Sequence, residues 1–161
     1  MAKVLIVDNE RPVCEVLREL LEPKGHRCVL TADASEALEC LKRNSFQLVI
    51  CDINIPGKSG LDFIRDVFAE YPATAAIMLS EIDDPTDLKK LLEIGIYDFI
   101  VKPCLPKDVL FIVANVLHRR ELEIENRNYR EHLEKMVVKC TDALPKGKAE
   151  PEQALNNFKY T

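Results

Sequence analysis

The sequence lacks several features that would each point to a different kind of protein. Apolar runs such as Val4–Val7 fall far short of the roughly 20 residues that a bilayer-spanning helix needs, which excludes a helical membrane span. Glycine is scarce, 5 residues in 161, so a collagen-like chain is excluded. Positive charge is in deficit: 22 Lys and Arg against 27 Asp and Glu give a net charge of −5 and a pI near 5.3. A chain with that balance is a poor nonspecific binder of nucleic acid or anionic membranes. The six cysteines (Cys14, Cys28, Cys40, Cys51, Cys104 and Cys140) form no C-x-x-C pair and have no histidine at ligand spacing. No zinc site is visible in that pattern, which reads as reduced, mostly buried thiols. Met1-Ala2-Lys3 leads directly into a strand-like segment with no cleavage site, so a cytoplasmic location is expected.

What is there fits one globular domain with something left over. Hydrophobic residues make up 47 % and charged residues 30 %, too apolar for a disordered chain. A core of roughly 120 residues can bury itself without staples. Short apolar runs alternate with helical spacing. Lys3–Val7, Arg27–Thr31, Gln47–Cys51, Ala75–Leu79 and Tyr97–Val101 read as strands. Between them Val13, Val16, Leu17, Leu20 and Leu21 carry a helix, with Pro12 tolerated in its first turn. Asp33 with Glu36 opens a second helix as a capping box. Leu61, Ile64, Val67 and Phe68 carry a third, and Leu88, Leu91 and Leu92 a fourth. Pro106 opens a fifth, with Val109, Ile112, Val113, Val116 and Leu117 on its buried face. Five β–α units imply a parallel sheet covered on both faces.

The last helix outruns the domain. No Gly or Pro interrupts the chain from Lys107 to Lys139. Beyond Leu117 its apolar face narrows to Leu122, Asn126, Tyr129, Leu133 and Met136, which alternate steps of four and three as a coiled-coil seam does. A lone charged helix of that length is marginal in water, so a partner helix is expected, most economically from a second copy. The expected organisation is therefore a domain over 1–120, a helical coiled-coil extension over 121–140 and a polar, flexible tail over 141–161.

Polar residues collect at the carboxyl ends of the strands, where open parallel sheets bind ligands. Asp8, Asn9 and Glu10 follow the first strand, Asp52 and Asn54 the third. Ser80 closes the fourth, and Lys102 the fifth, just before Pro103. Converging oxygens suit a hard cation such as Mg²⁺. A carboxylate at such a site can act as a nucleophile toward phosphorus, with a hydroxyl and an ammonium holding the phosphoryl oxygens. Taken singly, an Asp after a strand is as easily a helix cap, Ser80 a turn residue and Lys102 a solvated lysine. The joint pattern is what carries the reading.

Val7-Asp8-Asn9-Glu10, Cys51-Asp52-Ile53-Asn54-Ile55-Pro56-Gly57 with Gly60, Met78-Leu79-Ser80, Gly95 and Val101-Lys102-Pro103 resemble the motifs of response-regulator receiver domains, in order over residues 1–120. The resemblance implies an α/β, flavodoxin-like doubly wound five-stranded parallel sheet in the order 2-1-3-4-5, here with an extended C-terminal helix. It implies that Asp52 is the phosphoacceptor for a histidine kinase or phosphotransfer protein. It also implies a Mg²⁺ site formed by Asp8, Asn9, Asp52 and the backbone carbonyl of Asn54. Ser80 and Lys102 would contact the phosphoryl group, with Lys102 before a cis proline, and Phe99 would be the aromatic switch.

Two positions depart from the family. Asn9 stands where a second aspartate is usual, which removes a negative charge from the metal site and leaves Glu10 as a compensating acid. Glu81 stands where a small residue is usual and places a carboxylate beside the acceptor. The expected function is a phosphorylated, non-enzymatic switch that signals through its C-terminal face and helix as a homodimer, without direct contact to nucleic acid or membrane. Two alternatives stand beside it: a pseudo-receiver acting only as a dimerisation module, and the front part of a longer regulator with an enzymatic output. A phosphatase of the haloacid-dehalogenase type would need Asp-x-Asp after the first strand, and Asp8-Asn9-Glu10 does not supply it.

Overall fold

A computed structural model describes residues 2–81, 89 and 93–143. Compactness divides the chain after Arg120. In the first unit, five strands, β1 (Lys3–Val7), β2 (Arg27–Thr31), β3 (Leu48–Asp52), β4 (Ala75–Ser80) and β5 (Asp98–Val101), pair in parallel in the order β2-β1-β3-β4-β5. Helices α1 (Arg11–Leu21), α2 (Ala34–Arg43), α3 (Gly60–Glu70) and α4 (Pro106–Ala143) follow β1, β2, β3 and β5. The fold is the flavodoxin-like doubly wound sheet expected above. The expected helix around Leu88, Leu91 and Leu92 lies outside the described residues.

Strand residues alternate between two cores, as a period of two requires. Val4, Ile6, Leu48, Ile50, Ile77 and Leu79 pack against Cys14, Leu17 and Leu21 of α1 and Val109, Val113 and Val116 of α4. Leu5, Val7, Val49, Cys51, Ala76 and Met78 pack against Ala37 and Leu41 of α2 and Phe63, Ile64 and Val67 of α3. Because both faces are covered, the central strands are apolar throughout and turn polar only where they leave the sheet.

Local chemistry sets the element ends. Asp33 caps α2 by accepting from the Glu36 amide, while the Glu36 carboxylate reaches back to the Ala32 amide, a capping box shifted by one residue on its return arm. Ser59 caps α3 by accepting from the Asp62 amide. α1 ends at Leu21 and the chain tightens into a 3₁₀ turn over Glu22–Lys24, closed by Gly25 in the left-handed region at φ 92°. Arg119 and Arg120 on α4 donate to the carbonyls of Tyr97 and Ala73, fixing that helix to loops at the amino ends of the strands.

Several boundaries differ from expectation: β3 is shifted by one residue to Leu48–Asp52, and β4 runs on to Ser80. Tyr97 lies outside β5, which begins at Asp98. The last helix ends at Ala143 rather than at 140, because no Gly or Pro intervenes before Pro145. The expected tail beyond 143 lies outside the described residues. Among the described residues no helix is long and apolar enough to cross a membrane.

Candidate functional site

β1 and β3 are the adjacent strands at which the sheet order reverses, and each ends in an aspartate. Asp8 follows β1 and Asp52 closes β3, and both are buried. Each is held the same way. The Glu10 amide donates to Asp8 Oδ1 at 2.9 Å, and the Asn54 amide donates to Asp52 Oδ1 at 3.2 Å. These are Asx turns: the side chain is tied to the backbone two residues on, so one carboxylate oxygen is used and the other is aimed away from the turn.

Lys102 meets the two remaining oxygens. Its Nζ lies 3.0 Å from Asp52 Oδ2, 3.0 Å from Asp8 Oδ2 and 3.7 Å from Glu10 Oε1. Only 9 % of the Lys102 side chain is exposed. The backbone brings it there through the Lys102 amide, which donates to the Ser80 carbonyl at 2.7 Å, and the Lys102–Pro103 bond is cis. The approach to Asp8 is an ion pair without hydrogen-bond alignment, so Asp8 Oδ2 is a buried oxygen that no donor satisfies.

The electrostatics follow from that geometry. Burial is the main influence on Asp8 and raises its pKa above the ordinary 3.8, against the lowering effect of the Glu10 amide and Lys102. Burial alone would lower Lys102, but its ion pairs with Asp8 and Asp52 outweigh it and hold the ammonium above its usual range. Three acids face one cation, which leaves the cluster with net negative charge.

The carboxylates of Asp8, Glu10 and Asp52 offer oxygens that all lie within 4.8 Å of one another. The donors are hard oxygens, the number is small, and one buried oxygen lacks a donor; this set fits Mg²⁺. Asn9, expected among the ligands, is exposed and lines a neighbouring cleft with Arg11, Thr31 and Glu36. Glu10, itself 51 % exposed, adds a third carboxylate to the cluster.

The remaining expected residues fall as follows. Asn54 is exposed, with its amide on Asp52. Ser80 is half-buried at the end of β4, paired in register with Val101. Phe99 on β5 is half-buried against the core formed with α2 and α3. Glu81 lines a cleft of about 570 Å³ with Glu10, Pro12, Val13, Val16, Lys102, Pro103 and Cys104. Helical spacing did not reveal that Val16 belongs to this cleft rather than to the core; it is 42 % exposed. Gly60, the first residue of α3, was named only as part of a motif. A Cβ on it would stand 2.2 Å from the Asp52 carbonyl oxygen, so α3 can approach the end of β3 only at a glycine.

Comparison with known proteins gives one consistent result. The family described as "Response regulator receiver domain" matches residues 4–114. Aerobic respiration control protein ArcA of Escherichia coli is 34 % identical over 116 residues, which cover 72 % of this chain and 48 % of ArcA. Transcriptional regulatory protein CpxR of Escherichia coli is 29 % identical over 128 residues, covering 80 % of this chain and 54 % of CpxR. The chain thus spans about half the length of these curated relatives. Among solved structures, chemotaxis response regulator CheY4 of Vibrio cholerae aligns with a TM-score of 0.68 at 29 % identity, covering 72 % of this chain and 98 % of that one. NtrX from Brucella abortus aligns with a TM-score of 0.75 at 25 % identity, covering 80 % of this chain and 29 % of that one.

Proposed function

The chain belongs to the response-regulator receiver family, and from that premise we propose that it is a phosphorylation-dependent switch whose acceptor is Asp52. The observation that carries this reading is Lys102 bridging Asp8 Oδ2 and Asp52 Oδ2 at the strand-order reversal, with Asp8 Oδ2 left unsatisfied. An ammonium and a pair of fixed carboxylates beside a cleft are what transfer of a phosphoryl group to an aspartate requires.

The donor is the phosphohistidine of a histidine kinase or phosphotransfer protein. An Asp52 oxygen forms a bond to phosphorus as the phosphorus–nitrogen bond breaks, and the electron pair and a proton stay on the donor imidazole. Lys102 pairs with the phosphoryl oxygens, and Ser80, at the end of the adjacent strand, donates its hydroxyl to them. Mg²⁺ would be held by Asp8, Glu10, Asp52 and the Asn54 carbonyl, and when bound it supplies neutralising charge at the oxygens of the transferred group. As Ser80 is drawn to the phosphoryl group, Phe99 turns inward and the surface of β5 and α4 changes. The chain acts on no separate substrate.

Residues 1–120 form the receiver, and 121–140 a coiled-coil extension through which two copies pair. The exposed Leu122, Tyr129 and Met136 support that pairing.

Intact-mass measurement with a small phosphodonor and Mg²⁺, run beside Asp52→Asn, tests the acceptor. One added phosphoryl group on the wild type and none on the variant is the expected result. Equal labelling of both would overturn the assignment, and no labelling at high Mg²⁺ would leave a pseudo-receiver.

A further inference from the structure

Beyond Arg120 the described part of α4 presents a narrow apolar stripe. Leu122, Tyr129 and Met136 are 51 %, 62 % and 48 % exposed, with Leu133 half-buried among them. Asn126 is the single polar residue on this stripe. The steps 122, 126, 129, 133, 136 put Asn126 and Leu133 at heptad position a, and Leu122, Tyr129 and Met136 at d. Position g before Asn126 is then Glu125, and position e after Tyr129 is Arg130. Among the described residues neither Glu125 nor Arg130 forms an ion pair within its own chain.

These assignments discriminate between orientations. In a parallel, in-register pair, a meets a, so Asn126 meets Asn126 and each amide can satisfy the other. Position g meets the following e, so each Glu125 faces the partner's Arg130, twice over by symmetry. In an antiparallel pair a packs against d, which sets the Asn126 amide against Leu122, Tyr129 or Met136 rather than against a matching amide. Antiparallel packing also sets g against g and e against e, which separates Glu125 from Arg130.

We propose that two copies of this chain pair along residues 122–136 as a parallel, in-register coiled coil, specified by Asn126 against Asn126 and by Glu125 against the partner's Arg130. This rests on the homodimer reading above and adds its direction and register. A parallel pair brings both receivers to the same end, so the phosphorylation states of two copies are read by one helical pair.

Sedimentation equilibrium of the full chain at low salt tests it, using wild type, Glu125→Arg, Arg130→Glu and an equimolar mixture of the two variants. Both positions are exposed, and circular dichroism confirms that the variants keep the wild-type fold. Each variant alone sets like charges opposite one another and should dimerise about ten-fold more weakly than wild type. In the mixture, one chain of each kind sets opposite charges against one another at both contacts and should recover wild-type association as a heterodimer. A dimeric wild type whose single variants are unaffected, or whose mixture does not recover, would overturn the direction and register while leaving the homodimer. A wild type that stays monomeric up to roughly 0.1 mM, the weak end of specific association, would overturn the homodimer itself.

Discussion

Lys102 Nζ sits 3.0 Å from Asp52 Oδ2, so the one lysine that lines the cleft among the described residues is also the immediate neighbour of the Asp52 carboxylate. The same nitrogen is 3.0 Å from Asp8 Oδ2. One side chain therefore neutralises two buried acids that come from different strands. The strands bring the acids together through hydrogen bonds of the sheet, and the sheet has no means of relieving their repulsion. Relief comes from β5, whose last turn into Pro103 supplies the ammonium.

Removing that ammonium should expose the repulsion. Lys102→Met keeps the length of the side chain and deletes its charge, leaving Asp8 and Asp52 buried and unpaired. Breaking a buried pair from one side costs about 3 kcal/mol, and urea denaturation at neutral pH without divalent cation should show a loss of that order. The raised pKa of Lys102 has the same sign: its stabilisation is fully present below 10.5 and is lost as pH rises through the higher folded value. Added Mg²⁺ should stabilise the variant more than the wild type, since it then supplies the only positive charge. Equal Mg²⁺ stabilisation of both proteins would count against a shared site.

Asp8 makes a second pH prediction, with the same direction in a lower pH window. Burial raises its folded pKa above 3.8, so the folded state holds the proton more tightly than the unfolded state does. Between 3.8 and the folded value the native protein binds more protons, and its stability falls as pH rises. Above the folded value the penalty is complete. Asp8→Asn removes the charge and the penalty together. The difference in unfolding free energy, variant minus wild type, should grow as pH is raised from 3.8 in the absence of Mg²⁺. A flat difference would show that Lys102 already compensates Asp8 in full.

Much of this was legible in the sequence, and the gaps have physical reasons. Strand identity followed from apolar runs that end in polar residues, because burial on both faces leaves no other composition open to a central strand; the order of the sheet came only through the resemblance to receiver domains. Asp8, Asp52 and Lys102 were found because they interrupt that pattern. Positions 9 and 10 are less legible: both are exposed, and Glu10 brings a carboxylate to the cluster that the motif position at Asn9 lacks. Consecutive residues leaving a strand point in different directions, and one-dimensional spacing does not say which brings its polar atoms to the two aspartates. The last helix runs past the expected boundary at 140 because no breaker marks its end there.

Glu10 and Asn9 can be separated by metal binding. If Glu10 supplies the third carboxylate, Glu10→Gln should weaken Mg²⁺ binding by about ten-fold, or about 1.4 kcal/mol. Asn9→Gln, which keeps an amide at an exposed position, should change it little. Isothermal titration calorimetry with Mg²⁺ reads both. A larger loss from Asn9→Gln than from Glu10→Gln would return the ligand role to position 9.

Gly60 links the stability of the fold to the placement of Asp52. The first turn of α3 lies against the carbonyl oxygen of Asp52 and the backbone of Ile53, and the Gly60 amide donates to the Ile53 carbonyl at 2.8 Å. A methyl group on Gly60 would meet the Asp52 carbonyl oxygen at 2.2 Å and Ile53 Cα at 2.9 Å, and both are backbone atoms that no rotamer change can move. The helix or the end of β3 must shift, so Gly60→Ala should cost about 3 kcal/mol, the upper end for overpacking. The shift also displaces the backbone that holds Asp52 at its Asx turn. Phosphorylation by a small donor should therefore slow even under conditions in which the variant is fully folded, as judged by circular dichroism. Full-rate labelling of a destabilised Gly60→Ala would show that the position of Asp52 does not depend on α3.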